Sequence, residues 1–303
     1  MKKKGLILLI FMKIKYLIRR FILLNHSDMQ KNTPVAQNKG IIPQNNSSED
    51  SVYRFENYDL PISLINLTGA GPDSFGTIAN SHIAHLQSTV GIDDNHFVLE
   101  IGCGIGRDAI QLAKIIKNGQ YVGVDIIKQS IDWCTANITK KHDNFKFIHY
   151  DIKDQLHNPL GISKTVDINL PLDDHSVNRI ILWSVFTHMF QEDIIHYIKE
   201  FTRLLSRDGL VFASFFIVND DIIASAQKTN LTPYDLRFEH LHQPGCYIND
   251  PVHPLGAVAY TEEALRFMIN TSGLKLVSLR RGNWSGHFPE IGHAGQDEVI
   301  LSR

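Results

Sequence analysis

The sequence predicts an α/β fold: a doubly wound, Rossmann-like sheet of seven strands that is mostly parallel and ends in an antiparallel C-terminal strand. Short apolar runs alternate with stretches of helical periodicity from about residue 96 onward. A glycine-rich turn joins the first of these runs to a helical pattern, and the chain closes with two apolar runs joined by a loop. Strands that alternate with helices indicate a parallel sheet with crossover helices.

The glycine-rich turn lies within Val98–Ala113, where an apolar run ends and a helical pattern begins at once. Its glycines are Gly102, Gly104 and Gly106. Glycine allows backbone angles closed to other residues, so a ligand can lie against the main chain at a helix N-terminus. A nicotinamide or flavin fingerprint would need its third glycine at Arg107. The spacing therefore disfavours a dinucleotide.

The later elements follow in the order that this fold requires. Strands are predicted at residues 121–126, 145–152, 179–183, from 210 onward, at 274–279 and at 298–303, and helices at 75–89, 128–138, 192–205 and 261–271. A turn is predicted at Asp208–Gly209, between a helix and the strand that follows it.

Composition limits the classes of function. The 303 residues include 30 Lys and Arg against 32 Asp and Glu, a net charge of -2, so no overall field favours nucleic acid. The three cysteines, an odd number without metal-ligand spacing, predict neither a disulfide framework nor a metal site. They favour a reducing, cytoplasmic compartment.

The chain divides into four predicted parts. Residues 1–25 are basic and apolar, and their apolar runs are too short to span a bilayer. This segment is predicted either to contact an anionic membrane surface or to be a leader without that role. Residues 26–51 are polar and predict a disordered linker. Residues 52–95 are predicted to form cap helices, and residues 96–303 the catalytic domain, with a lid insertion at about 216–259.

Two carboxylates stand beside the predicted ligand crevice. Glu100 lies inside the first strand, where burial requires a cationic partner such as a ligand ammonium. Asp125 closes the second strand roughly 20 residues beyond the glycines, where this fold places an acid that binds ribose hydroxyls. Asp125 is alternatively the N-cap of the next helix.

These motifs together resemble the class I methyltransferases that use S-adenosylmethionine. The resemblance rests on Glu-x-Gly-x-Gly-x-Gly at residues 100–106, on Asp125 and Asp151 at two strand ends, on ILWSVFTHM at the fourth strand and on the terminal hairpin. The segments SVFTHM, GNWSG and GQDEVIL resemble a bacterial branch that methylates small molecules, with members near sugar and envelope biosynthesis. Before the fourth strand this chain has Ser176-Val177-Asn178, whereas the family often has Ser-Phe-Asp at that position.

The resemblance implies S-adenosylmethionine as cofactor and assigns its contacts. Glu100 and the glycine turn would hold the methionine end, Asp125 the ribose, Asp151 and Ile152 the adenine, and Trp183 and Ser184 would line the methyl-transfer chamber. The full predicted cofactor set is Glu100, Gly102, Cys103, Gly104, Gly106, Arg107, Asp125, Ile126, Asp151, Ile152, Trp183 and Ser184.

The acceptor is predicted to be a small molecule, for example a sugar or an envelope-glycan precursor, with oxygen, nitrogen or carbon as the methylated atom. A hydroxyl acceptor benefits from a general base, for which His188 is the first candidate, followed by His253 and His175. Tyr247, His253 and Trp284 are the predicted acceptor contacts. A nicotinamide-dependent oxidoreductase and a cofactor-binding module without catalysis are the alternatives.

Overall fold

The computed structural model describes residues 51–154, 157–229, 234–288 and 295–303. The predictions for residues 1–25 and for nearly all of 26–51 lie outside these ranges. Apart from residues 234 and 235, the described residues form one compact unit.

The segment that precedes the main sheet combines a hairpin with helices. Strands β1 (Val52–Phe55) and β2 (Tyr58–Pro61) pair antiparallel, and the short helix α1 (Ile62–Ile65) and the long helix α2 (Pro72–Thr89) follow. Pro72 at the start of α2 suits a position where no backbone N–H is needed. Cap helices were predicted for this segment, and the structure adds the hairpin, whose Phe55 contacts Phe75 of α2 edge to face.

The remaining strands alternate with helices as far as β7, except that β6 follows β5 with only a 3₁₀ turn, Thr165–Asp167, between them. In chain order they are β3 (Phe97–Ile101), α3 (Arg107–Leu112), β4 (Gln120–Asp125), α4 (Lys128–Cys134), β5 (Phe145–His149), β6 (Val177–Leu182), α5 (Gln191–Leu204), β7 (Leu205–Phe215), β8 (Ile217–Val218), α6 (Asp220–Thr229), β9 (His240–Gln243), β10 (Cys246–Ile248), β11 (Val258–Thr261), α7 (Glu262–Ser272), β12 (Lys275–Arg280) and β13 (Asp297–Ser302).

The main sheet has the strand order β12-β13-β7-β6-β3-β4-β5. Strands β3 to β7 pair parallel, whereas β13 is antiparallel to both β7 and β12. This confirms the predicted seven-stranded, mostly parallel sheet with an antiparallel C-terminal strand. A second sheet, β8-β11-β10-β9, is built largely from the segment predicted as a lid.

Both faces of the main sheet are covered, as a parallel sheet requires. Helices α5 and α7 cover one face, and the buried residues of α5 recur at helical spacing: Ile194, Tyr197, Ile198, Phe201 and Leu204. Helices α2 and α3 cover the other face with Leu86 and Ile110 among their buried residues. Ile195 of α5 is half-buried, and Leu205, the last residue of the predicted helix, begins β7 instead.

Strand β7 begins five residues earlier than the sequence pattern indicated. Val177 of β6 pairs with Leu205, and Arg179 pairs with Leu210, so the residues between Leu205 and Leu210 form a bulge. The predicted turn at Asp208–Gly209 lies within this bulge, where Gly209 passes close to the carbonyl oxygen of Val177. Sequence periodicity gave the turn correctly, but it could not show that the backbone remains paired on both sides of it.

Candidate active site

The carboxyl ends of the central strands bring most of the predicted site residues together. Ile101, the last residue of β3, pairs with Val124 of β4 and with Leu182 of β6. Gly102, Asp125 and Trp183 therefore stand at one level on the same edge of the sheet. Ligands of open α/β sheets bind in the crevice outside this edge.

The three glycines of the turn serve different purposes. All have positive φ angles, and a Cβ at Gly102 would lie 2.6 Å from Val185 Cγ2, while one at Gly106 would lie 2.5 Å from Ile138 Cδ1. These two glycines are needed for packing within the protein. A Cβ at Gly104 would meet only Thr68 Cγ2, at 3.3 Å, so Gly104 is the one of the three glycines whose missing side chain is not required by tight packing within the protein.

Asp125 is fixed by the backbone around it. Its Oδ2 accepts a hydrogen bond from the Gly104 N–H at 2.7 Å, and its Oδ1 accepts one from the Ile127 N–H at 2.8 Å. Burial raises the pKa of this carboxyl, and the two N–H donors oppose that rise. Asp125 therefore links the glycine turn to the segment before α4, but it is not the N-cap of that helix, because the N-cap position is occupied by Ile127.

A cavity of about 290 Å³ lies beside Asp125, at the ends of β4 and β5. It is lined by Ile126, Asp151 and His157, among others. Asp151 Oδ1 accepts a hydrogen bond from Asn158 Nδ2 at 2.8 Å, which orients the carboxylate. Ile152 is buried and bridges to Ser163, so it supports the wall of this cavity rather than lining it.

Glu100 has a partner within the protein. Its Oε2 accepts a hydrogen bond from the Tyr121 hydroxyl at 2.5 Å, and the residue is buried. Burial raises the pKa of Glu100 well above its usual range, and the nearby Asp108 carboxylate raises it further. The Tyr121 phenol therefore supplies a partner within the protein for one oxygen of this carboxyl, and the contact of Glu100 with a ligand ammonium stays a prediction.

Trp183 lies on the side of the sheet covered by α2. Its indole stacks on the His82 ring at a centroid distance of 3.9 Å, and His82 Nδ1 lies 2.8 Å from Asp108 Oδ2. One turn later on α2, His85 Nε2 lies 2.8 Å from Glu298 Oε1 of β13. Two buried histidine–carboxylate pairs thus join α2 to α3 and to the sheet, on either side of Trp183.

Two buried donors in this region have no acceptor among the described residues. They are Trp183 Nε1 and Arg107 Nε, the latter 3.7 Å from Asp108 Oδ1. A buried N–H without a partner costs free energy unless a ligand or a water molecule accepts from it. A ligand carboxylate suits both donors.

Ser184 follows Trp183 and has a left-handed backbone, with φ at 57°. Its N–H donates to Ser214 Oγ at 2.7 Å, and its own Oγ accepts a hydrogen bond from Gln296 Nε2 at 2.8 Å. A non-glycine residue with positive φ is strained, and such strain persists where neighbours hold the residue in place. Gln296 was not among the predicted site residues.

His188 is half-buried in a 3₁₀ turn, Phe186–His188, just after β6. Its Nδ1 lies 3.0 Å from the Leu255 carbonyl oxygen, and its ring centroid lies 6.3 Å from that of His157, which lines the cavity. A carbonyl oxygen can only accept a hydrogen bond, so Nδ1 is the donor in this contact, and in the neutral ring the lone pair is then on Nε2.

His175 lies at the opposite end of the sheet, because it precedes β6 and its Nδ1 lies 2.8 Å from Arg303 Nη1. That position excludes His175 as a base at the crevice. His253 is exposed and precedes the 3₁₀ turn Pro254–Gly256.

The predicted acceptor contacts differ in exposure. Tyr247 is half-buried on β10 and packs beside a cluster formed by Phe216, Phe238 and Trp284. Trp284 is buried, and its Nε1 donates to Asp297 Oδ2 at 2.9 Å. This corrects the prediction for Trp284, because its ring is covered and its polar atom is already bonded. The sequence could not show which aromatic residues of this region are covered.

Residues 98–209, which include this turn and the strand ends β3 to β6, match the family model of a methyltransferase domain. The chain contains a class I S-adenosylmethionine-dependent methyltransferase domain. A domain of this family implies methyl transfer with S-adenosylmethionine as cofactor. The predictions of the family, the fold and the cofactor are confirmed.

Several solved structures are similar to this chain. A methyltransferase from Aquifex aeolicus is 12% identical, with 75% of this chain and 92% of that chain covered and a TM-score of 0.46. A methyltransferase from Methanococcus maripaludis is 15% identical over 79% and 91%, with a TM-score of 0.48. The mitomycin 7-O-methyltransferase MmcR is 11% identical over 78% and 56%, with a TM-score of 0.49. None of these values bears on the acceptor of this methyltransferase.

The crevice of the methyltransferase domain fits S-adenosylmethionine. Each oxygen of the Asp125 carboxylate accepts one backbone N–H and can still accept from a hydroxyl group, and the orphaned N–H groups of Trp183 and Arg107 suit a carboxylate. Within the described ranges no cluster of potential ligands could hold a metal ion, and no helix is long and apolar enough to cross a membrane.

Cys103, Cys134 and Cys246 are buried free thiols, and burial raises the pKa of each.

Proposed function

We propose that this methyltransferase methylates a hydroxyl group of a small molecule, such as a sugar or an envelope-glycan precursor, with His188 as general base. The observation that carries the proposal is the contact of His188 with His157, because His157 lines the cavity next to Asp125. This contact brings a base with a fixed tautomer beside the proposed cofactor site.

In this proposal the residues at the strand ends hold the cofactor. The Gly104 backbone and Asp125 hold its central part, Asp151 and Ile126 line the cavity that receives the adenine, and Arg107 with the Trp183 N–H binds the carboxylate. Bound S-adenosylmethionine supplies an activated methyl group on a sulfonium, which is an excellent leaving group.

The protein contributes alignment and a proton acceptor. His188 Nε2 takes the proton of the acceptor hydroxyl as the oxygen attacks the methyl group, while the Leu255 carbonyl holds the ring through Nδ1. The polar side chains just after β6 and just before β13, Ser184 and Gln296, are uncharged, which supports a neutral acceptor. Tyr247 and His253 remain proposed acceptor contacts.

The test uses His188→Gln with His142→Gln as matched control, because His142 is half-buried just before β5, at the other end of the sheet. Methyl-labelled cofactor is incubated with a small-molecule extract, and label transfer is measured. His188→Gln is expected to lower the rate by roughly 10² to 10⁴ with unchanged affinity for S-adenosylhomocysteine.

Several results would contradict the proposal. Full activity of His188→Gln would remove His188 as base, and labelled products that carry the methyl group on nitrogen or carbon would remove the hydroxyl acceptor. Binding of NADH in place of the methyl donor would favour an oxidoreductase. Cofactor binding without transfer to any molecule would favour a binding module.

A further inference from the structure

Gln296 and Ser184 form a polar pair at the mouth of the crevice, next to Trp183. Gln296 is the residue immediately before β13, and β7 lies between β13 and β6 in the sheet. The Gln296 side chain therefore crosses the end of β7 to reach the Ser184 hydroxyl, at 2.8 Å. Residues 112 positions apart in the chain meet here because the sheet order places their strands close together.

Contacts with β7 and α2 hold the pair in place. The Ser184 N–H is bound by Ser214 Oγ of β7, and the preceding Trp183 is stacked on His82 of α2. Trp183 is 9% exposed. The strained φ of Ser184 is thus maintained by contacts on both sides, and its side chain is directed away from them, since the residue itself is exposed.

The pair offers complementary hydrogen-bonding atoms. Gln296 uses Nε2 for Ser184, and among the described residues its Oε1 accepts no hydrogen bond. Ser184 Oγ accepts from Gln296 and lies 3.4 Å from Thr187 Oγ1, so its own proton can point to a ligand oxygen. One acceptor and one donor, both uncharged, match two neighbouring hydroxyl groups of a ring.

We propose that Ser184 and Gln296 form the acceptor-binding clamp of this methyltransferase and that they select a neutral ring with adjacent hydroxyl groups. One hydroxyl donates to Gln296 Oε1, and its neighbour accepts from the Ser184 hydroxyl. This inference rests on the proposed function, since it names the residues that recognise the hydroxylated acceptor. Gln296 is a specificity-determining residue that contacts the acceptor and not the cofactor.

The test measures binding of the methyl α-glycosides of mannose, galactose and rhamnose to the protein saturated with S-adenosylhomocysteine. Gln296→Leu keeps the size of the side chain and removes both polar atoms. Its matched control is Gln120→Leu, because Gln120 is exposed at the start of β4, at the opposite edge of the sheet. Gln296→Leu is expected to bind the glycosides roughly tenfold more weakly, with unchanged affinity for S-adenosylhomocysteine.

Two variants at residue 184 distinguish the effect of the hydroxyl group on glycoside binding from the effect of the backbone conformation. Ser184→Ala removes the hydroxyl, and Ser184→Gly removes it while relieving the positive φ. Both are expected to weaken glycoside binding to the same extent. Recovery of binding in Ser184→Gly would show that backbone conformation, and not the hydroxyl, matters.

The clamp is overturned if no glycoside binds the wild-type protein, or if Gln296→Leu binds glycosides as the wild type does. Failure of the wild-type protein to bind S-adenosylhomocysteine would instead contradict the cofactor site, which is a separate result. Equal loss of glycoside and S-adenosylhomocysteine binding in Gln296→Leu would indicate a purely structural role and would also overturn the clamp.

Discussion

At the scale of single residues, several polar groups near the crevice are buried and depend on a few partners. Asp297 is an example, because its carboxylate accepts hydrogen bonds from the N–H groups of Ile217 and Gly282 and from the Trp284 indole. It joins the start of β13 to β8 and to the loop after β12. Burial raises the pKa of Asp297 to about 6, from an ordinary value of 3.8.

This raised pKa predicts a pH-dependent stability. Because the folded state binds the Asp297 proton more tightly than the unfolded state, the contribution of Asp297 is fully present below the unfolded pKa and is lost as pH rises through about 6. The unfolding free energy of the wild type, relative to Asp297→Asn, should fall by up to about 3 kcal/mol between about pH 4 and pH 7. Denaturant titrations of both proteins measure this difference, and a constant difference across that range would contradict the prediction.

At the scale of elements, the glycine turn both borders the ligand crevice and packs against α4. Gly106 faces Ile138 and Cys134, which belong to α4 and the π-helical turn Thr135–Thr139 after it, whereas Gly104 faces only Thr68. Within the same motif, Gly106 is therefore required for packing, whereas Gly104 is proposed to leave room for a ligand.

The two positions should respond differently to alanine. Gly106→Ala is expected to lower the unfolding free energy by several kcal/mol, because it adds an overlap with Ile138 to the strain of a positive φ. Gly104→Ala adds the same backbone strain, about 1 to 3 kcal/mol, without that overlap. It should weaken S-adenosylhomocysteine binding by more than the decrease in the folded fraction of the protein explains. Thermal unfolding and calorimetry measure the two effects, and the reverse order would show that Gly104 is the packing position.

At the scale of the whole molecule, the described residues other than 234 and 235 form a compact unit that contains the crevice and the three sheets. The basic segment 1–25 remains proposed as a contact with anionic membranes. A chain that begins at Ser51 is therefore expected to keep its affinity for S-adenosylhomocysteine and to lose binding to vesicles that contain phosphatidylglycerol.

Vesicle sedimentation and calorimetry check this prediction, with vesicles of phosphatidylcholine alone as control. Equal sedimentation of the full and shortened chains would remove the membrane contact. A shortened chain that folds but no longer binds S-adenosylhomocysteine would show that the first fifty residues take part in the cofactor site.

The sequence by itself determined the parts of this protein whose signals are local. The glycine spacing at residues 102–106, an acid at the end of β4 and the alternation of strands with helices predicted the fold, the family and the cofactor, because each depends on residues close together in the chain. Only the tertiary structure decided which side chains meet at the crevice. The sheet order brings Gln296 to Ser184, α2 brings His82 to Trp183, and packing covers Trp284 and moves His175 to the far edge. These contacts join residues distant in the chain, so no periodicity or motif in one sequence could reveal them.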